Sequence, residues 1–166
     1  MDEDELVELH RPETPSELTL LLARAKSEAV SSDSLVLGCD SALFFEGEIL
    51  GKPHDPQVAI ERWQKMRGKT GELFSGHWLT DSKSGKGAGR VTSTKVHFAD
   101  LTNEQIERYV ATGEPLKVAG AFTIDGLGGA FVQRIEGDYH TVVGLSLVAL
   151  RALVEELGHD YLSLWR

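Results

Sequence analysis

The chain has 166 residues, a formal net charge of -9, 41% hydrophobic residues and 26% charged ones. Those values fit one globular domain, or two closely packed lobes, with enough length for a real core. An acidic surface repels polymeric nucleic acid and anionic lipid, though not a small nucleotide, whose phosphates a local basic pocket or a divalent metal neutralises.

The single cysteine, Cys39, rules out an internal disulfide. Its apolar neighbours predict a buried thiol in a reducing cytoplasm. The first five residues, Met-Asp-Glu-Asp-Glu, are the opposite of a signal peptide's basic start. No stretch approaches the ~18 apolar residues that a membrane span needs. The expected compartment is the cytoplasm, with no membrane partner.

Residues 1–13 are acidic and read as a loop. Thr14-Pro15-Ser16-Glu17 then opens a helix, with Thr14 as N-cap, Pro15 at the first helical position and Glu17 reaching back. The helix runs to about Val30, with Leu18, Leu21, Leu22 and Ala25 on its inner stripe and Lys26 following that stripe. Leu35 to Cys39 is a continuous apolar run, as in a strand buried on both faces. It ends at Asp40. The segment Ala42 to Leu50 reads as a β-hairpin turning at Glu46-Gly47-Glu48, and Gly51-Lys52-Pro53 follows. Pairing about Gly47 places Ala42 opposite Lys52, so alternation puts Asp40 and Lys52 on one face. A bulge at the turn shifts that register. A carboxylate and an ammonium beside a glycine can hold a metal and a phosphate. The same residues also fit an ordinary acidic strand end and a solvated lysine.

Asp55-Pro56 opens a second helix, with Ala59, Ile60, Trp63 and Met66 inside and Gly68 at its end. Glu72 to Thr80 reads as a strand, Ser82 to Gly89 as a flexible link, and Arg90 to Ala99 as an alternating strand, together a long hairpin. Thr102 to Gln105 is a capping box for a helix with Ile106, Tyr109 and Val110 inside. Gly120 to Ile124 and Ala130 to Ile135 read as strands around the glycine-rich turn at Asp125. Thr141 to Gly144 is a connector. Ser146 to Leu157 is an amphipathic helix with Leu147, Leu150, Leu153 and Val154 inside. Alternating helices and hairpins predict a mixed α/β (α+β) fold around a twisted sheet.

An ordered series of short motifs runs through nearly the whole chain. They are Lys26 on the first helix, Gly38-Cys39-Asp40, Gly51-Lys52-Pro53, and Phe98-Ala99-Asp100-Leu101-Thr102. Gly113-Glu114-Pro115-Leu116, Ala119-Gly120-Ala121-Phe122, Gly126-Leu127-Gly128-Gly129 and Gly137-Asp138-Tyr139-His140-Thr141 follow. The series resembles the Maf family of nucleoside triphosphate pyrophosphatases, known for septum-formation inhibition. The resemblance implies one Maf-like domain over residues 1–166, of the Maf/inosine-triphosphatase type, with two lobes and a cleft between them. It implies hydrolysis of a nucleoside triphosphate to the monophosphate and pyrophosphate with a divalent cation, Mg²⁺ by family habit. Nucleotide-pool sanitation, arrest of cell division and a homodimer come with it.

Residue by residue, Asp40 matches the family's proton acceptor and a metal ligand. Lys52 matches the Gly-Lys-Pro lysine and Lys26 the helix lysine, both as catalytic and substrate-binding groups. Asp125 stands at a position linked to base recognition, and Glu3 matches an acidic metal ligand near the N-terminal motif. These roles make chemical sense. A metal lowers the pKa of water and an aspartate accepts its proton, while lysines offset charge on departing pyrophosphate.

Three departures stand out. The family begins with a strand and a Ser-Pro-Arg-Arg-type turn that grips phosphate, and neither is in these residues. The expectation is that the sequence is part of a longer product; the alternative is a catalytically impaired nucleotide-binding or regulatory protein. Many members carry Gln where Asp125 stands, and an ionised carboxylate accepts hydrogen bonds without donating them, so the preferred base differs. Many carry Asp-Lys before Ala-Gly-Ala, where this chain has Lys117-Val118. Asp138 and His140 are expected to order a loop.

Overall fold

The computed structural model describes residues 2–165. Six α-helices and five strands are present among them, which is the mixed α/β fold expected. The helices are α1 (Glu3–His10), α2 (Pro15–Glu28), α3 (Pro56–Met66), α4 (Asn103–Ala111), α5 (Tyr139–Val143) and α6 (Leu147–Glu156). The strands are β1 (Leu35–Phe45), β2 (Glu48–Leu50), β3 (Thr70–Asp81), β4 (Lys86–Phe98) and β5 (Val132–Glu136), in the sheet order β2-β1-β3-β4-β5. The residues cluster into two compact units. One runs to Asp40, includes Ser75–Thr92 and resumes at Gly144; the other comprises Ser41–Phe74 and Ser93–Val143.

In the first unit, α2 starts where its cap predicts: the Thr14 hydroxyl accepts the Glu17 N–H at 3.1 Å, and the Glu17 carboxylate accepts the Glu13 N–H. Its buried face differs from the expected leucine stripe. Leu22 is buried, but the other buried positions after Pro15 are Thr19, Ala23 and Ser27. Two glycines explain this. A Cβ on Gly38 of β1 would collide with the Ala23 carbonyl and lie 2.7 Å from the Ser27 nitrogen, and one on Gly76 of β3 would collide with the Thr19 carbonyl. The helix backbone lies almost directly on the sheet, and only small side chains fit between. Ser27 then donates to the Val36 carbonyl at 2.8 Å and shares a 2.7 Å hydrogen bond with Thr80.

The rest of this unit packs Leu79, Ala88, Leu153 and Val154 into a second cluster, with Leu150 at its margin. Leu147 is exposed rather than inside. The start of α6 is held by Ser146, whose N–H donates to buried His77 Nε2 at 2.9 Å and whose hydroxyl accepts from Ala149. The link expected over residues 82–89 is shorter than predicted, because β4 begins at Lys86. Gly87 and Gly89 lie against the Trp78 ring, where a side chain would not fit, so they are packing residues rather than linker. The loop expected over residues 1–13 contains α1. Asp2 caps it, and Glu3, Asp4 and Glu5 sit at its positive end. None of its residues is buried, so no apolar stripe announced it.

The second unit is built on Trp63 of α3, which is fully buried. Its ring meets Phe98, Tyr109 and Phe131 edge to face at centroid distances of 5.4, 5.9 and 6.2 Å. Ile106, Tyr109 and Val110 of α4 face this core as expected, behind a complete Thr102–Gln105 capping box. The Trp63 indole donates to the Ala121 carbonyl at 2.7 Å. That bond, with Gly120 and Ala121 at φ 73° and 62°, turns residues 119–121 into a 3-10 turn where a strand was expected. The expected strand over 130–135 begins later, at Val132, after a 3-10 turn over Leu127–Phe131. The connector at 141–144 overlaps α5, whose start is ordered by Asp138 accepting from the His140 N–H and the Thr141 hydroxyl, each at 3.0 Å.

The hairpin register is a correction. β1 and β2 pair Leu43 with Leu50, Phe44 with Ile49 and Phe45 with Glu48. The turn has two residues, Glu46 and Gly47, at φ 47° and 82°, not three. Paired left-handed residues match strand twist in a two-residue hairpin, and this one wins over a turn centred on Gly47. Pairing moves by one residue, β2 stops at Leu50, and alternation no longer supports Asp40 and Lys52 on one face.

The glycine contact makes a test of the first unit. Gly38→Ala forces α2 off the strand and is expected to destabilise by about 1–3 kcal/mol in urea unfolding. Unchanged stability would mean that the helix does not lie on Gly38.

Candidate active site

Lys26 stands between Ala25 and Ser27 on the flank of α2, and Asp40 stands two residues beyond Gly38 in β1. Since α2 touches the strand at Gly38, the two side chains meet. Lys26 Nζ donates to Asp40 Oδ1 at 2.6 Å. The same ammonium lies 3.3 Å from Glu3 Oε1 on the first turn of α1. Side-chain exposure falls from 47% for Glu3 and 30% for Lys26 to 13% for Asp40, so the aspartate is the sheltered member. Burial pulls the Lys26 pKa down, but the hydrogen bond and charge of Asp40, with help from Glu3, outweigh it and hold it above its ordinary value. Three of the expected site residues are therefore in one cluster.

The cluster carries two carboxylates and one ammonium, a formal charge of -1. It favours a cation over an anion as it stands, and Lys26 is already engaged. Among the described residues no group of three or more His, Cys, Asp or Glu is placed to hold a metal ion. Two carboxylates around one point nonetheless fit a hard cation that takes the rest of its oxygen ligands from phosphate and water. Cys39, beside Asp40, is half-buried, less than expected. Burial raises its thiol to about 11, so it is not a nucleophile at neutral pH.

Lys52 belongs to the second unit and is exposed. Its segment is fastened on both sides. Arg62 Nη1 donates to the Gly51 carbonyl at 2.6 Å, the Gly120 N–H donates to the same oxygen at 3.3 Å, and the His54 N–H donates to Leu116 at 2.8 Å. Arg62 is a residue sequence reasoning missed. Burial lowers its guanidinium's pKa and Glu48 opposes that, and nothing in its helical spacing distinguishes it from a surface arginine.

Asp125 is exposed, at the start of the glycine-rich turn. With Ser41, Leu73, Thr123 and Val142 it lines a cavity of about 120 Å³. The turn is held by a second residue that sequence reasoning quoted without a role. Glu114 Oε1 accepts the Leu127 N–H at 2.8 Å and Oε2 accepts the Gly128 N–H at 2.9 Å. Burial raises the Glu114 carboxyl, but hydrogen bonds from the Tyr109 hydroxyl and those two N–H groups outweigh it and hold it below its ordinary value. Only its place in Gly113-Glu114-Pro115 marked it in the sequence.

Comparison with known proteins follows the same residues. The family model described as Maf-like protein matches residues 1–157. Curated nucleoside triphosphate pyrophosphatases are similar along most of the chain. The Salinispora tropica protein is 56% identical over 157 residues, covering 90% of this chain and 70% of its own length. That of Leifsonia xyli subsp. xyli is 50% identical over 166 residues, covering 94% and 77%. That of Nocardia farcinica is 45% identical over 177 residues, covering 100% and 84%. The chain belongs to the Maf family.

The Lys26 cluster makes a stability test with a pH signature. Lys26→Ala removes a charged, hydrogen-bonded partner of a sheltered carboxylate and is expected to cost about 1–2 kcal/mol at neutral pH. A raised lysine pKa gives stability that is complete below the ordinary value of 10.5 and is lost as pH climbs through the raised value. The gap between wild type and variant should stay constant up to that point and narrow above it. A gap that does not narrow in alkaline urea titrations would remove the ion pair as its cause.

Proposed function

We propose that this chain is a nucleoside triphosphate pyrophosphatase. The observation that carries the reading is Lys26 held between Asp40 and Glu3, and the names of its Maf relatives point the same way. In the proposed reaction a water oxygen enters at phosphorus, the anhydride bond between the α- and β-phosphates breaks, and pyrophosphate leaves from the monophosphate. Asp40 takes the proton that water loses. Lys26 and Lys52 offset the charge that gathers on the departing pyrophosphate. Asp125 meets the base.

Asp40 and Glu3 are the residues that would hold a divalent cation, Mg²⁺ by preference, which supplies a lowered water pKa and positive charge. Lys26 engages one oxygen of each, Asp40 Oδ1 and Glu3 Oε1, so a cation there would share these carboxylates with the lysine. The cation would draw on the carboxylates of this cluster and the phosphate on its ammonium.

No helix among the described residues is long and apolar enough to cross a membrane. We place the enzyme in the cytoplasm, as a homodimer acting on free nucleotides rather than polymeric nucleic acid. The net charge of -9 and the single cysteine support that placement.

Pyrophosphate release from a panel of ordinary and modified triphosphates with Mg²⁺ tests the reading. Wild type should turn over at least one of them, and Asp40→Asn should lower kcat by about a hundredfold or more with the fold retained. Binding without turnover by wild type would favour a non-catalytic nucleotide-binding protein, and a retained rate in the variant would remove Asp40 from the chemistry. Lys52→Ala should lower kcat/KM by about tenfold or more; an unchanged value would leave that lysine a solvated charge.

A further inference from the structure

The glycine-rich turn is held from outside itself. Glu114 stands thirteen residues before Leu127 and spends both carboxylate oxygens on it, one on the Leu127 N–H and one on the Gly128 N–H. The turn's sequence is fitted to that grip. A Cβ on Gly126 would collide with Glu114 Oε1, and a Cβ on Gly128 would collide with the Tyr109 hydroxyl. Tyr109 anchors the other end of the arrangement. Its ring is 3% exposed, packs edge to face with Trp63 and Phe131, and its oxygen accepts the Thr123 N–H at 3.3 Å. Residues 123 to 128 are therefore clasped at both ends by two side chains from α4 and the segment after it. Asp125 is an exposed residue between the two clasps, and it lines the 120 Å³ cavity.

A carboxylate that reads a base must be held in place, since it discriminates only if it cannot swing to meet a wrong partner. The turn's own backbone bond, from the Gly129 N–H to the Gly126 carbonyl at 3.1 Å, lies after Asp125, and the side chain that grips the turn is Glu114. We propose that Glu114 is the positioning residue for base selection, fixing the backbone of the turn so that Asp125 presents its carboxylate at the cavity mouth in one orientation. The proposal rests on the pyrophosphatase reading for the nature of the ligand. It adds that the selected base edge carries hydrogen-bond donors, because an ionised carboxylate only accepts. Glu114 acts through Asp125 and touches no substrate.

Gln is the informative replacement. Glu114→Gln keeps the size and one acceptor oxygen but points an NH₂ group at one of the two N–H donors, so half the clasp is lost. Kd values for non-hydrolysable triphosphates differing only in base, measured by calorimetry, read selection without turnover. Wild type should separate the bases by Kd, and Glu114→Gln should shrink the spread by at least about threefold, the worth of one hydrogen bond. Asp125→Asn should also shrink it, and the double variant should be no worse than the worse single one, since both act through one carboxylate. In turnover, the Glu114 variant should raise KM for the best base and leave kcat within about twofold, whereas loosening of the whole unit would lower both.

Tyr109→Phe serves if Glu114→Gln does not fold. It keeps the ring in the core, removes one hydrogen bond from Glu114, and should shrink the spread in the same direction. An unchanged spread in a folded Glu114 or Tyr109 variant overturns the proposal, as do additive losses in the double variant or a wild type that binds every base equally. Failure of the pyrophosphatase reading is separate: wild type would then bind these ligands selectively and release no pyrophosphate.

Discussion

A helix lying directly on strand backbone is the constraint on which the Lys26 cluster depends. Gly38 and Gly76 have no side chains, so α2 descends until its own carbonyls touch the sheet. Only Thr19, Ala23 and Ser27 fit at that contact. Lys26, one residue before Ser27, is thereby carried to within hydrogen-bond reach of Asp40, two residues after Gly38. A larger residue at either glycine lifts the helix, and a lysine's charge a few ångströms further out meets water rather than a sheltered carboxylate. The hydrogen bonds from Ser27 to Val36 and with Thr80 lock the same height. Packing sets the electrostatics here, not the reverse.

The second unit solves a different problem, that of holding irregular backbone without strands. Residues 51–54, 119–121 and 126–128 have few ladder partners, and each is fastened by a side chain reaching across. Arg62 takes the Gly51 carbonyl, Trp63 takes the Ala121 carbonyl, and Glu114 takes two N–H groups of the turn. These bonds satisfy backbone groups that would otherwise be costly to shield. They also leave exposed residues, Lys52 and Asp125, on loops whose backbone is fixed. A loop held this way can place a side chain as firmly as a strand can.

Charge at the Lys26 cluster follows the acid balance of the chain, with two carboxylates around one ammonium. A net charge of -9 keeps polyanions away at long range. At short range Lys26 is hydrogen-bonded to Asp40 and ion-paired with Glu3. Its pKa stays high, so the ammonium persists as a partner of both carboxylates. Cys39 next to it is kept protonated by burial and adds no competing nucleophile.

The sequence by itself determined the elements whose signals are local and the family to which the chain belongs. Caps at Thr14, Asp55 and Thr102 start α2, α3 and α4 where read, since a cap satisfies its own helix's N–H groups. The motif order identified the Maf family, and the resemblance drew attention to Lys26, Asp40 and Glu3, which folding brings together. Features decided by contacts distant in sequence were beyond it. Residues 120–124 read as strand until the Trp63 indole took the Ala121 carbonyl. Gly87 and Gly89 read as linker until Trp78 lay against them, and α1 had no buried stripe to show. The hairpin register turned on one residue at Glu46-Gly47, which no periodicity resolves. Glu114 gained a role only when folding brought it to Leu127 and Gly128. Local propensity is written in neighbouring residues, whereas a close approach or a clasp depends on which backbone groups tertiary packing leaves within reach.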